Sequence, residues 1–166
     1  SPLMLDAIGG IRTSMADSML VLAPNANSWR RFASAVYSPA SNSWGVEDRN
    51  VALRIPAGGA KTRHFEHRIA GVDANPYLVA ATVLAGLRHG MTHRIDPGPE
   101  TKGNGYEGGQ DAPPIPVDWR MAIDAAQRSE FLKEALGADM HRTFTAIKAA
   151  EYARVMRTVS DVDYDL

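Results

Sequence analysis

The sequence predicts an α+β fold in which an antiparallel β-hairpin or small sheet forms a wall flanked by helices, with a helical C-terminal tail. Three observations predict it. Apolar residues recur at helical spacing between Leu3 and Leu22, two runs within 50–69 alternate with period two around a Gly-Gly segment, and helical periodicity returns from Asp73 and again from Asp118. With 166 residues, 45% of them hydrophobic and 22% charged, the chain is long enough for one domain with a sizeable core.

In the first helix Leu5, Ile8, Ile11, Met15 and Met19 follow the helical period and Pro24 stops it. Gly9 and Gly10 each cost about 1 kcal/mol against Ala, which close packing explains better than chemistry does. "APNANSWRRF" reads as a loop anchored by Trp29 and Phe32. In 50–55, Val51, Leu53 and Ile55 lie opposite Asn50, Ala52 and Arg54; in 62–69, Phe65 and Ile69 share a face with Arg63 and His67, opposite Thr62, His64, Glu66 and Arg68. The short "PAGGAK" between them makes an antiparallel hairpin with one polar, ionic face.

Segment 73–90 is the clearest helix, with Asn75 as N-cap and Pro76 at the first helical position. Leu78, Val79, Val83, Leu84 and Leu87 cover almost its whole circumference, so it is expected to be buried. Residues 96–117 form a loop rich in Gly and Pro, and 118–166 a tail with helices over 118–136 and 138–158, separated by Gly137. Met140, Phe144, Ile147 and Val155 are expected to form the core stripe of the second, with its Glu and Lys residues on a solvated face. The chain opens without an initiator Met and closes on strand-like residues in "SDVDYDL", which reads as a piece of a longer polypeptide.

A formal net charge of -1 supplies no overall field for nucleic acid or an anionic membrane, so any anion site is local. The absence of cysteine excludes disulfides, thiolate zinc sites and a cysteine nucleophile, and suits a reducing, cytoplasmic setting. The most apolar stretch, 77–87, is well short of the roughly 20 residues of a membrane span.

Among the motifs, "GGAKT" lacks the glycines of a phosphate-binding P-loop and precedes a strand, so it reads as a hairpin turn. His64 and Glu66, two apart on one strand face, suit a metal but are too few for a closed zinc site, and Glu66 beside Arg68 is equally an ion pair. Arg49, Arg54 and Arg68 are harder to place as surface charge. Converging guanidinium groups repel one another unless a polyanion such as ATP sits among them, where their planar forks match phosphate and carboxylate. Pattern alone leaves an anion site and ordinary surface charge both open.

Further identity comes from "NANSWRRF", "GVEDRNVALRIP", "KTRHFEHRIAGVDANPYLVAATVLAGLRHG" and "DPGPETKGNGYE". In order and spacing these resemble the C-terminal half of the glutamine synthetase family's catalytic domain, most of all the branch that includes γ-glutamylpolyamine synthetases. The resemblance runs from about Ala7 to the end of the chain. It implies that residues 1–166 are the C-terminal portion of one such domain. It also implies an ATP-dependent ligase that joins glutamate to ammonia or an amine through a γ-glutamyl phosphate, with Mg2+ or Mn2+ as cofactor and active sites shared between the subunits of a homo-oligomer.

Carried over by position, Arg31 and Arg68 resemble the arginines that hold the glutamate carboxylates. Arg49 and Arg54 resemble the pair that contact ATP and the phosphoryl group in transit, Glu66 a metal ligand, and Lys61 a nucleotide-side lysine. Tyr37 stands where ammonia-using members carry a flap glutamate. A phenol, with an unperturbed pKa of about 10, is a poor base and lacks the charge that attracts ammonium. An organic amine or polyamine is therefore the expected acceptor, with ammonia, or a non-catalytic ring-forming nucleotide-binding relative, as the alternatives. The family's other metal-binding glutamates and its histidine lie upstream of these motifs, so this chain alone is expected to be inactive.

Overall fold

The long N-terminal run with helical periodicity folds as α1, Pro2–Leu22, and carries the centre of the core: from Ala7 to Leu22 all but a few of its residues are buried. The computed structural model describes residues 1–33, 38–39, 41–104 and 114–164. Ile8, Met15, Met19, Leu20 and Leu22 are fully enclosed, together with Leu53, Ile69, Ile123 and Leu132 from later elements. Burying a large aliphatic side chain contributes about 1.5–3 kcal/mol, so this cluster dominates the stability of the chain.

Gly10 shows why the Gly-Gly pair sits in α1. A Cβ on it would lie 2.2 Å from the Gly86 carbonyl oxygen and 2.4 Å from the Gly90 amide nitrogen. Backbone therefore meets backbone where α1 crosses α3, Pro76–His93, as the close-packing reading expected. Asn75 caps α3 as expected, its Oδ1 accepting from the amides of Tyr77 (3.0 Å) and Leu78 (3.3 Å). The expectation that α3 is buried all round does not hold. Its fully buried positions are Thr82, Gly86 and Gly90, while Tyr77 and Leu84 are 85% and 63% exposed. An apolar circumference becomes buried only where other elements cover it, and the described ones cover the stripe facing α1.

The expected hairpin is present but shorter, and it has a third neighbour. Among the described residues the sheet runs in the order β1 (Trp44–Val46), β2 (Leu53–Ile55), β3 (Glu66–His67). β2 and β3 are antiparallel, with Leu53 opposite His67 and Arg54 opposite Glu66; β1 lies parallel to β2. Strand character begins only at Leu53 because Asp48 Oδ1 accepts from the Asn50 amide at 2.7 Å and turns the chain there. The link 56–65 is wider than a tight "PAGGAK" turn; its turn closes between Gly59 and Thr62, with an amide–carbonyl bond of 3.1 Å. The outer edge of β1, which the alternation did not predict, is covered by 96–104: Thr101 N donates to Trp44 O (2.9 Å), Trp44 Nε1 to Gly98 O (3.1 Å) and Val46 N to Glu100 Oε1 (3.0 Å).

"ANSWRRFA", read as loop, is a helix, α2 (Ala26–Ala33), with Arg30 and Arg31 in its last turn. The tail is α4 (Trp119–Arg128), α5 (Glu130–Leu136) and α6 (Ala138–Val155), followed by a 3-10 turn, Asp161–Tyr164, where strand-like residues were expected. The break between α4 and α5 falls at Ser129, whose Oγ accepts from Leu132 N (2.9 Å) and donates to Asp17 Oδ2 (2.7 Å), a capping arrangement. The core stripe of α6 is displaced from the expected one. His141 and Thr145 are buried, whereas Met140, Ile147 and Val155 are exposed. His141 wins the inward position because its Nε2 lies 2.7 Å from Ala126 O and ties α6 to α4. Lys148, expected on a solvated face, is inward as well, donating to Asn25 Oδ1 (3.2 Å) and Glu151 Oε2 (2.8 Å).

Candidate active site

β2 and β3 pair Arg54 with Glu66, so both side chains rise on the same face of the sheet. Arg54 Nη1 donates to both carboxylate oxygens of Glu66, at 3.1 and 3.2 Å, and its Nη2 to Glu47 Oε1 at 3.3 Å. The guanidinium is 14% exposed and Glu66 39%. Arg68 extends the row. Its amide donates to Ala52 O (2.9 Å) and its Nη1 to the carbonyls of Arg49 and Val51. Arg54, Glu66 and Arg68 thus share one sheet face, and Arg49, in the turn before β2, meets Arg68 through its backbone carbonyl. The ion pair made there joins Glu66 to Arg54, where the alternation had suggested Arg68.

Glu47 was not singled out by its sequence context. It has φ +57°, a left-handed conformation that costs a non-glycine residue about 1–2 kcal/mol. Its carboxylate offsets that cost by accepting from both Arg54 and the Ala57 amide. Arg54 therefore sits between two carboxylates, which orients it and relieves its repulsion toward the neighbouring arginines.

Arg31 meets the chain just beyond β3, one residue past Arg68. Its Nη2 donates to the carbonyl of Ile69, and its guanidinium carbon stands 4.7 Å from the centre of the Phe32 ring. Burial lowers its pKa from the usual arginine value, opposed by the charge of Asp73. Asp73, a second residue the sequence did not flag, accepts from Ser28 Oγ (2.5 Å) and Asn25 Nδ2 (3.2 Å). Burial raises the Asp73 pKa, but the bonds from Ser28, Asn25 and the backbone, with the Arg31 charge, outweigh it and leave it below the usual carboxylate range. Lys61 is exposed on the 56–65 link, and Tyr37 lies outside the described residues.

His67 points to the opposite side of the sheet from Glu66 and Arg68. Burial pushes its pKa down to about 4, so the ring is neutral near pH 7. It is not a partner for Glu66 in a metal site, and among the described residues no three His, Asp or Glu side chains are grouped to hold an ion. Glu66 is a hard oxygen donor of the kind Mg2+ takes, but it supplies one of about six ligands. The arginines suit phosphate and carboxylate, so the residues present fit part of a nucleotide and metal site.

A guanidinium oriented by two carboxylates, with Arg68 on the same partly exposed sheet face, has a chemistry suited to phosphate and carboxylate groups. The glutamine synthetase catalytic domain model matches residues 1–166. Gamma-glutamylputrescine synthetase PuuA of Escherichia coli (strain K12) is 37% identical over 165 residues, which cover 99% of this chain and 34% of that protein. Gamma-glutamylethanolamide synthetase GlnA4 of Streptomyces coelicolor is 31% identical over 140 residues, covering 84% of this chain and 30% of the relative. Glutamine synthetase of Pyrococcus furiosus is 30% identical over 158 residues, covering 92% and 36%. A solved structure of a GmaS–ADP complex superposes with a TM-score of 0.84 at 28% identity, over 98% of this chain and 39% of that one. The chain belongs to the glutamine synthetase family, and its likeness to the γ-glutamylpolyamine synthetase branch is borne out by the match to PuuA. It spans about a third of the length of these curated relatives.

Proposed function

We propose that residues 1–166 are the C-terminal portion of the catalytic domain of an ATP-dependent ligase that joins glutamate to an organic amine through a γ-glutamyl phosphate. The observation that carries the reading is the Arg54–Glu66 pair, set by the strand register on one face, with Arg68 beside it and held by the carbonyl of Arg49. Arg54 and Arg49 hold the phosphates of ATP and the phosphoryl group in transfer. Their charge offsets that of the transferred oxygens, and the Glu47 and Glu66 carboxylates keep Arg54 oriented before substrate arrives. Arg31 and Arg68 bind the glutamate carboxylates, Lys61 the nucleotide side, and Glu66 gives one oxygen to the metal.

Mg2+ or Mn2+, when bound, neutralises phosphate oxygens; its remaining ligands come from outside this chain. Tyr37 at the flap position favours an organic amine over ammonium. The similarity to gamma-glutamylputrescine synthetase supports a polyamine, and the 30% identity to glutamine synthetases keeps ammonia as the second reading. The exposed Tyr77 and Leu84 of α3 support a reading in which more protein covers this chain, in a cytoplasmic homo-oligomer with shared sites. Nucleic acid has no part in the reading, and no helix among the described residues is long and apolar enough to cross a membrane.

The test is ADP release by the full-length protein with glutamate and a panel of polyamines, monoamines and ammonia. A polyamine or monoamine preferred over ammonia is expected. Preference for ammonia overturns the acceptor assignment, and no glutamate-dependent ADP release with any amine overturns the ligase.

A further inference from the structure

Behind the sheet face, between α1, α3 and β3, lies a small cavity lined by Ser14, Met15, Ser18, His67, Thr82 and Val83. The space available to the centre of a water-sized sphere is about 10 Å³, which is room for one water. Two residues lining this cavity carry buried polar atoms, His67 Nδ1 and Thr82 Oγ1, that find no partner at full hydrogen-bond geometry among the described residues; the His67 ring has beside it only its own backbone. Thr82 is the telling one. Ser14, Ser18 and Thr145 each turn their hydroxyl back onto their own helix, at 2.9 Å to Gly10 O, 2.7 Å to Ser14 O and 2.9 Å to His141 O. Thr82 does not, and an unmet buried hydroxyl costs about 1–3 kcal/mol.

We infer that one buried water occupies this cavity and bridges His67 Nδ1 to Thr82 Oγ1, which makes His67 a positioning residue for its neighbours Glu66 and Arg68. The donors and acceptors balance. Ser14 and Ser18 spend their protons on carbonyls and keep lone pairs for the water to donate to, Thr82 offers both a proton and lone pairs, and the ring nitrogen adds a further partner. A water with three or four partners locks the His67 ring, and with it the short strand β3, to α1 and α3. The role of positioning rests on the ligase reading above; the water does not.

The test uses the full-length protein with Thr82→Val and Thr82→Ser. A wet cavity loses a partner in Thr82→Val, so the unfolding midpoint falls and the ring-nitrogen NMR signals of His67 shift, while Thr82→Ser restores those signals to their wild-type positions. A dry cavity loses only an unmet hydroxyl, so a midpoint that rises or stays unchanged in Thr82→Val, or His67 signals identical in all three proteins, overturns the bridge. Mn2+ binding measured without turnover weakens about tenfold in Thr82→Val and recovers in Thr82→Ser if His67 positions Glu66. Equal Mn2+ binding in the three proteins overturns the positioning role. If the protein proves not to be a ligase, the midpoint and ring signals still decide the water.

Discussion

Arg12 is a buried cation whose guanidinium meets no carboxylate among the described residues. Its Nε and Nη2 donate to the Asn42 carbonyl at 3.1 and 2.9 Å, and Asn42 Nδ2 returns a bond to Arg12 O at 2.6 Å. Replacing it with Ala leaves the Asn42 carbonyl unpaired and opens a cavity; Arg12→Ala is expected to cost about 2–4 kcal/mol, read by denaturant unfolding. A loss within about 0.5 kcal/mol would show that the pair is dispensable. Asp73 gives a pH signature. Its folded pKa is lowered, so its contribution is present above the unfolded value of about 3.9 and is lost as pH falls through the folded value. The unfolding midpoint of Asp73→Asn should therefore lie below that of the parent at neutral pH and converge with it below about pH 4. A gap that persists into acid contradicts the assignment. At the candidate site, the shared face of Arg54, Glu66 and Arg68 was legible from the strand alternation, whereas Arg31 was singled out only by the family resemblance. Glu47 and Asp73 were not legible, since an acidic residue in a loop declares its partner only once the chain folds.

Helix α1 was legible as a helix but not as the hub of the core, because its period of apolar residues looks no more buried than that of α3. What distinguishes them is coverage: α3, α4 and α5 all pack on α1, whereas α3 presents Tyr77 and Leu84 outward. The same reason moved the stripe of α6, where a hydrogen bond from His141 outranked three aliphatic side chains. β1 escaped the alternation because three residues are too few to show a period, and "ANSWRRFA" because Asn and Ser are common in both turns and helix starts. The α1–α3 crossing yields a sharp prediction. A Cβ at Gly10 meets backbone atoms at 2.2–2.5 Å, which no side-chain rotation relieves. Gly10→Ala is expected to destabilise the protein by about 3 kcal/mol or more, against the small gain alanine brings to a helix free of such a contact. A thermal midpoint equal to or above the parent's would mean that the helices cross further apart.

For the whole molecule, the match over all 166 residues to the glutamine synthetase catalytic domain agrees with a fold in which one small sheet presents charge on one face and packs its other face on helices. The sequence motifs carried that identity further than the periodicity did, because the helical and strand periods of this chain fit many folds while the ordered motifs resemble one family. The most direct measurement is glutamate- and amine-dependent ADP release by the full-length protein, compared between wild type and Arg54→Ala. If this sheet face handles the phosphoryl group, kcat/KM falls by about a hundredfold or more while the fold is retained. Wild-type ADP release from a folded Arg54→Ala protein would contradict the account.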